Sequence, residues 1–296
     1  MSASSLSVDI RPIANIVEAK QIEELQRSTW NRDDLEIIPG RLFLAMKNNG
    51  ACLLGAFDRS KLVGFVFGVL GTVEDLNERI DQIAAARLLM YSMIMGVHPD
   101  YQRAGIGYRL KIAQREFALR IGVRLITWTF DPLESHNAYL NFQKLGVVCH
   151  KYLQDYYGEM GGINIGLPSD RFYVEWWVTS NRVKSRVSQN RGPLNLAQYL
   201  GGRAVIVNEC EHDENNQPVP PDEFLQLDSS LILVEIPDDI QHLKSIDLPL
   251  SIRWRSHIRH VFDYYFNRQY LVTDFVRNVD QAGVNSSYYV LTQADG

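Results

Sequence analysis

The sequence predicts an α+β protein, a mixed α/β sheet with flanking helices, and three observations predict it. Strand and helix patterns follow one another as β-α-α-β-β-β-α-β over residues 8–130. Inside that run, two apolar strand patterns meet at Asp58-Arg59-Ser60, the spacing of an antiparallel hairpin. Residues 91–130 then read strand, helix, strand, which requires a right-handed crossover and a parallel pair. With 296 residues, 46% hydrophobic and 22% charged, the chain is long enough for one large domain or two smaller ones with real cores.

Each element has a local cause. Val8 to Ile13 reads as a first strand, and Ile16 to Trp30 as a helix with Ile22 and Leu25 on one face. Pro39 opens a short helix through Leu42, Phe43 and Met46, which Asn48-Asn49-Gly50 stops. Ala51–Phe57 and Lys61–Leu70 form the hairpin, and 72–87 is polar and partly helical. Tyr91 to Val97 is an apolar run of strand length, broken by His98-Pro99-Asp100-Tyr101. Gln102 to Gly107 is a tight glycine turn, and a helix opens near Tyr108. Ile106, Leu110, Ala113, Phe117 and Ile121 recur along that helix at helical spacing, and Gly122 stops it.

Val123 to Phe130 is β-branched and aromatic, a strand composition. Asp131-Pro132-Leu133-Glu134 then carries an N-terminal helix signature, with Asp131 at the N-cap, Pro132 at N1 and Glu134 at N3. That helix runs to Leu145 and closes at Gly146. Residues 147–178 read as two strands around a long glycine- and tyrosine-rich loop, a place where function concentrates. Residues 181–199 are basic without an acidic residue, the composition of a solvated linker. Beyond them come a strand at Arg203–Val207, an acidic proline-rich loop from Glu209 to Glu223, and a strand at Leu231–Ile236. Trp254, Ile258, Val261, Phe262 and Tyr265 mark one helix face, and strands at Tyr270–Phe275 and Ser287–Thr292 follow. The expected domains are therefore 1–180, a linker at 181–199, and a smaller C-terminal α+β domain at 200–296.

Charge and cysteine usage narrow the partners. A formal net charge of -5 argues against nucleic-acid and anionic-membrane binding. No apolar stretch has the length of a membrane span, and the opening residues lack a signal-peptide pattern, so the expected place is the cytoplasm. Cys52, Cys149 and Cys210 are scattered without CxxC spacing, which gives neither a disulfide framework nor a zinc site; no metal is expected.

The turn at 102–107 carries the sharpest chemistry. A strand, a glycine turn and a helix N-terminus together build an anion site, because first-turn N–H groups lack intrahelical partners and the macrodipole favours negative charge. A Rossmann fingerprint needs a third glycine, where Leu110 stands, and a P-loop needs Gly-Lys-Ser/Thr, where Gly107 is followed by Tyr108-Arg109. Gln102-Arg103-Ala104-Gly105-Ile106-Gly107, preceded by Val97-His98-Pro99, instead resembles the pyrophosphate loop of the GNAT superfamily of acyl-CoA-dependent N-acyltransferases. Phe142-Gln143-Lys144-Leu145-Gly146-Val147 resembles that family's Tyr-x-Lys-x-Gly-Phe. Trp128 to Leu133, Asn137 to Gly146, Asp155 to Gly158 and Leu167 to Phe172 resemble a poorly characterised branch of it.

The resemblance covers the first 180 residues or so and implies a mostly antiparallel sheet with one splayed parallel pair. It also implies acetyl-CoA or another acyl-CoA as co-substrate. The cradle would be Gln102, Arg103, Ala104, Gly105, Ile106, Gly107 and Tyr108 on the pyrophosphate, with Val97 beside it. The Met95 N–H would face the thioester oxygen, and Asn137 would stand in for an asparagine whose usual position holds Ser135. The family's thiolate-protonating tyrosine is Phe142 here. Tyr139, one turn earlier on the helix, and Tyr156 or Tyr157 in the following loop are the hydroxyls that could replace it. The base is not evident: Asp131 at the strand end doubles as a helix cap, Glu134 shares that ambiguity, and His98, His136 and His150 are lone histidines. Asp170 and Arg171 would clamp a polar substrate group, since guanidinium binds carboxylate in a bidentate fork.

The expected activity is transfer of an acetyl or succinyl group from CoA to the amino group of a small molecule. A non-catalytic CoA-binding regulatory module and an interaction protein, including one that docks a second copy of the chain as a homodimer, remain alternatives. Residues 200–296 would echo a GNAT half without the glycine loop.

Overall fold

The computed structural model describes residues 7–31, 34–72, 88–159, 161–162, 165–188, 192–279, 283 and 285–293. The expectation for 72–87 falls outside them, apart from Thr72. The architecture is mixed α+β, mostly antiparallel sheet with flanking helices. The chain separates into two compact units, Met1–Trp128 with Gly161–Ile163, and Thr129–Met160 with Asn164–Gly296.

The first unit holds β1 (Val8–Pro12), α1 (Ile16–Trp30), α2 (Gly40–Asn48), β2 (Cys52–Asp58), β3 (Lys61–Thr72), β4 (Leu88–Val97), α3 (Ile106–Arg120) and the start of β5 (Leu125–Phe130). The Asn15 side chain starts α1 by accepting from the Val17 and Glu18 N–H groups at 2.9 and 3.1 Å, and Asn31 ends it at φ 51. Ala19, Ile22 and Leu25 of α1 and Phe43 of α2 then close one core with Phe57, Phe65 and Phe67 of the sheet. The two helices cross closely because residue 40 is glycine: a Cβ there would stand 2.6 Å from the Ala19 carbonyl oxygen. The strands lie in the order β1-β2-β3-β4-β5. The first four are antiparallel neighbours, and β4 pairs β5 in parallel through Met90↔Ile126 and Tyr91↔Thr127.

The buried face of α3 departs from the expected stripe. Ile106, Leu110, Gln114 and Ala118 face inward with Lys111, whereas Ile121 is 43% exposed. The stripe follows i, i+4 spacing and admits two polar residues because they find partners inside. Ser92 on β4 donates to Gln114 Oε1 at 2.9 Å, and Lys111 Nζ donates to Ser92 Oγ at 2.7 Å.

The second unit begins with the end of β5 and α4 (Ser135–Ala138), which continues as a π-helix, Tyr139–Leu145, to Gly146 at φ 75. There follow β6 (Val148–Leu153), β7 (Arg171–Trp177), α5 (Asn181–Val187), α6 (Leu196–Gly201), β8 (Val205–Ile206), β9 (Glu211–His212), β10 (Pro218–Val219), β11 (Leu231–Ile236), α7 (Ile240–Ile246), α8 (Leu248–Phe266), β12 (Tyr270–Val279) and β13 (Asn285–Gln293). The strands run β7-β6-β12-β13-β11-β8, all antiparallel neighbours except β11 and β8.

This unit differs from the expected division at 180 and 200, and the pairing of β6 with β12 through Cys149↔Val272 is the reason. The C-terminal strands extend the sheet begun by β6 and β7, and the two segments share a core. Phe172 of β7 stands 4.6 Å from Phe262 of α8 and 5.3 Å from Tyr289 of β13 by ring centroids. Within the expected linker, α5 buries Val183, and Arg186 pairs with Asp274 of β12. The segment is basic because two of its arginines, Arg182 and Arg186, serve neighbouring acceptors rather than solvent.

Candidate functional site

The cofactor residues foreseen between 95 and 108 lie together in the first unit, at the C-terminal end of β4. Among the described residues the ladder between β4 and β5 ends at Tyr91↔Thr127. Met95 and Val97 remain paired to Val66 and Gly64 on β3 and are half-buried. His98 ends the strand as a turn former: its Nδ1 accepts from the Asp100 N–H at 3.3 Å. Gln102 Nε2 then reaches back to the Val97 carbonyl at 3.1 Å, which folds the turn over the strand end.

Gln102, Arg103, Ala104 and Gly105 are exposed, while Ile106 is buried and anchors the helix start. Gly105 sits at φ 76, left-handed backbone that an L side chain adopts at a cost, and a Cβ there would meet nothing within 4 Å. The first backbone bond of α3 is donated by Arg109 to the Gly105 carbonyl at 3.1 Å. Among the described residues the N–H groups of Gly105, Ile106, Gly107 and Tyr108 therefore meet no acceptor. They open on the exposed turn, the geometry that accommodates phosphate oxygens.

The remaining expected residues belong to the second unit. Asp131 does not cap a helix at its own position. Its Oδ1 accepts from the Leu133 N–H at 2.8 Å and its carbonyl from the Glu134 N–H at 3.0 Å, a tight turn, and α4 starts only at Ser135. Glu134 does not complete a capping box either: it accepts from Gln241 Nε2 at 2.5 Å, and burial beside Asp131 pushes its carboxyl above the ordinary range. The outer oxygen of Asp131 is held by Arg255 Nη2 at 2.5 Å, with Arg171 Nη1 3.5 Å away. Burial opposes the charge on Arg255, which is 1% exposed, yet Asp131 holds its guanidinium above its ordinary value.

Asp170 is fully buried and its oxygens are occupied. They accept from Tyr152 Oη at 2.7 Å, the Asp155 N–H at 2.9 Å, and Arg259 Nε and Nη2 at 2.9 and 2.6 Å. Burial works against ionisation, but the Arg259 fork and the two other donors keep Asp170 below the usual carboxylate range. This carboxylate ties the 155–170 loop to α8, which explains its place in the sequence without a substrate. Arg171 is buried too, donating to the Asp170 carbonyl at 2.9 Å, with its guanidinium 5.5 Å from the Tyr157 ring centre.

Of the hydroxyls, Tyr139 is half-buried, with Lys144 Nζ 5.4 Å and the Arg277 guanidinium 5.2 Å from its ring centre. Tyr156 is 49% exposed and stacks edgewise on Tyr157, whose hydroxyl meets Thr129 Oγ1 at 2.9 Å. Asn137 is exposed on α4. Phe142 has no exposed surface and lies among Phe130, Phe172 and Tyr289. The position is apolar in its surroundings as well as in its side chain.

Arg255, Arg259 and Tyr152 were not anticipated. The available signal was Arg255 itself, at i-3 from Ile258 and i-7 from Phe262 on the apolar face of α8, where a charge needs a buried partner. Among the described residues no group of three or more His, Cys, Asp or Glu is arranged to hold a metal ion, and no helix is long and apolar enough to cross a membrane.

No protein-family model matches the chain, and no curated protein matches it. Among solved structures it is similar to Arabidopsis thaliana NAA60 in complex with acetyl-CoA, at 19% identity over 59% of this chain and 100% of that one, TM-score 0.46. It is similar to the ribosomal-protein-S18-alanine N-acetyltransferase from Escherichia coli, at 13% identity over 58% of this chain and 95% of that one, TM-score 0.44. A GNAT-family acetyltransferase from Streptococcus pneumoniae matches at 19% identity over 57% of this chain and 98% of that one, TM-score 0.42. These solved neighbours are acetyltransferases, one with acetyl-CoA bound and one of the GNAT family.

Proposed function

We propose that the chain is an acyl-CoA-dependent N-acyltransferase that moves an acetyl or succinyl group onto the amino group of a small molecule. The observation that carries this reading is the end of β4: a strand whose ladder with β5 ends at Tyr91 runs into a turn whose four helix-opening N–H groups are unspent among the described residues. Such a turn suits a diphosphate, and a strand edge beyond its ladder leaves main-chain donors for a carbonyl.

In this reading the backbone of residues 103–108, with Gln102 at the rim and Val97 below it, holds the pyrophosphate. The Met95 N–H polarises the thioester carbonyl. The amine lone pair attacks the thioester carbon to give a tetrahedral intermediate. Its collapse breaks the C–S bond and reforms the carbonyl, the nitrogen gives up one proton, and the sulfur gains one. Tyr139 and then Tyr156, both of the second unit, are the hydroxyls that the family resemblance offers as the proton donor to the thiolate. The Asp131 carboxylate supports the structure through Arg255 and Leu133, so the nitrogen loses its proton to water. Arg171 orients a polar group of the acceptor, and Asp170 supports that loop.

The test is a thermal-shift series with CoA, acetyl-CoA and succinyl-CoA, followed by turnover with a panel of amines. A ligand at a hundred times its dissociation constant stabilises by about 2.7 kcal/mol, a shift of several degrees. Absence of a shift with all three thioesters at millimolar concentration would overturn the cradle. Binding without turnover on any amine would leave a CoA-binding regulatory module.

A further inference from the structure

A cavity of about 690 Å³ opens in the second unit between residues 222–226 and one face of α8. We propose that this cavity binds an organic cation, an alkylammonium group on an extended chain, and does so independently of acyl transfer.

The cavity is built from both sides. His257, His260, Asp263 and Tyr264 share one face of α8 because they fall at helical spacing. The opposing loop is pinned in place. The Leu225 N–H donates to the Val207 carbonyl at 2.8 Å, and Tyr265 Oη donates to the Leu225 carbonyl at 2.7 Å. Arg253 Nη2 ties the start of the loop to α8 through the Pro220 carbonyl at 2.9 Å and Asp222 at 2.8 Å. A ligand therefore meets a formed wall and loses little ordering energy on binding.

Charge and shape select the ligand. Asp222, Glu223 and Asp263 line the cavity, and Arg253 of α8 is already engaged with Asp222. His257 adds no positive charge: it is 7% exposed, and burial pushes its imidazole down to about 4, helped by His260 and Arg253. Among the described residues its buried Nε2 has no hydrogen-bond partner. Phe224 stands edgewise to both Tyr264 and His257, with centroids at 5.5 and 6.2 Å, and supplies an aromatic wall. The site already tolerates a cation on such a wall, since the Arg268 guanidinium rides 3.5 Å from the centre of the Tyr264 ring. Carboxylates with aromatic faces and a neutral buried imidazole repel anions and attract ammonium groups.

The test is calorimetric titration of the full chain, without CoA, using spermidine in one arm and triethylene glycol, a neutral chain of similar length, in the other. The expected result is saturable one-to-one binding of spermidine and none of the glycol. Combining Glu223→Gln with Asp263→Asn weakens spermidine by about tenfold. Phe224→Ala also weakens it, and Glu116→Gln on exposed α3 leaves it unchanged. Three results would overturn the proposal: no saturable binding up to about 10 mM, equal binding of the glycol, or equal losses at Glu116 and in the cavity variant. Glu223 is exposed, so its single substitution keeps the test informative should Phe224→Ala fail to fold.

Discussion

Lys111 lies on the buried face of α3 with 3% of its surface exposed, and among the described residues no carboxylate pairs with it. Its Nζ donates to Ser92 Oγ at 2.7 Å and to Gln114 Oε1 at 3.2 Å and sits 3.6 Å from the centre of the Trp128 ring. Burial pushes the ammonium down to about 7. At pH 7 the unfolded chain holds this proton fully and the folded chain only about half. The resulting folding penalty is on the order of 4 kcal/mol relative to an uncharged side chain. The indole face favours the charged form, so this figure is an upper bound.

Lys111→Met keeps the length of the side chain, and Ser92 still donates to Gln114, so no polar atom of that pair is orphaned. The variant is expected to be more stable than the parent by about 2–4 kcal/mol at pH 7. The sign is set by proton uptake. Between about pH 7 and the ordinary lysine value the unfolded parent binds more protons than the folded one, so parent stability from this source rises with pH. The gap between variant and parent should therefore shrink toward zero by about pH 10. Urea unfolding of both proteins at several pH values across that range measures it. A gap constant with pH, or a variant less stable at pH 7, would refute a burial-depressed lysine.

Four further outcomes follow from the geometry. Asp131→Asn leaves Arg255 charged and buried without its counterion, so stability should fall by about 3–5 kcal/mol; a loss below about 1 kcal/mol in urea unfolding would show that the pair is dispensable. Gly105→Glu meets no steric neighbour and strains one left-handed residue by about 1–2 kcal/mol. It also places a carboxylate at the anion site, so the thermal shift with CoA should vanish while the fold survives, and an unchanged shift would remove the cradle assignment. Phe142→Tyr restores the hydroxyl expected from the resemblance but buries it among aromatic rings, costing about 1–3 kcal/mol without raising turnover. Tyr139→Phe should lower turnover with little effect on stability, measured side by side with it.

The fold of the first unit was legible because its causes are local. The helix Ile16–Trp30, the Asp58-Arg59-Ser60 hairpin, the break at His98-Pro99 and the glycine turn each depend on a few neighbouring residues, and each lies where the sequence places it. The same holds for β11, whose bounds, Leu231–Ile236, coincide with the apolar run. The misplaced helix start at Asp131 shows the limit of local rules. Asp-Pro-x-Glu suits both a helix cap and a tight turn, and Glu134 is drawn away by Gln241 from more than a hundred residues along the chain.

By itself the sequence determined the strand–turn–helix at 91–121 and the open helix end within it, since periodicity and glycine turns are properties of neighbouring residues. Only the tertiary structure decided which charges are spent. Asp131 finds Arg255, Asp170 finds Arg259, and Arg186 finds Asp274, each across about 90 residues or more. It also decided that residues after 128 build a unit with the C-terminal strands, through the pairing of β6 with β12. A buried charge takes whichever counterion the packed chain brings within reach, and the energy of that choice depends on desolvation, which exists only once the core has closed.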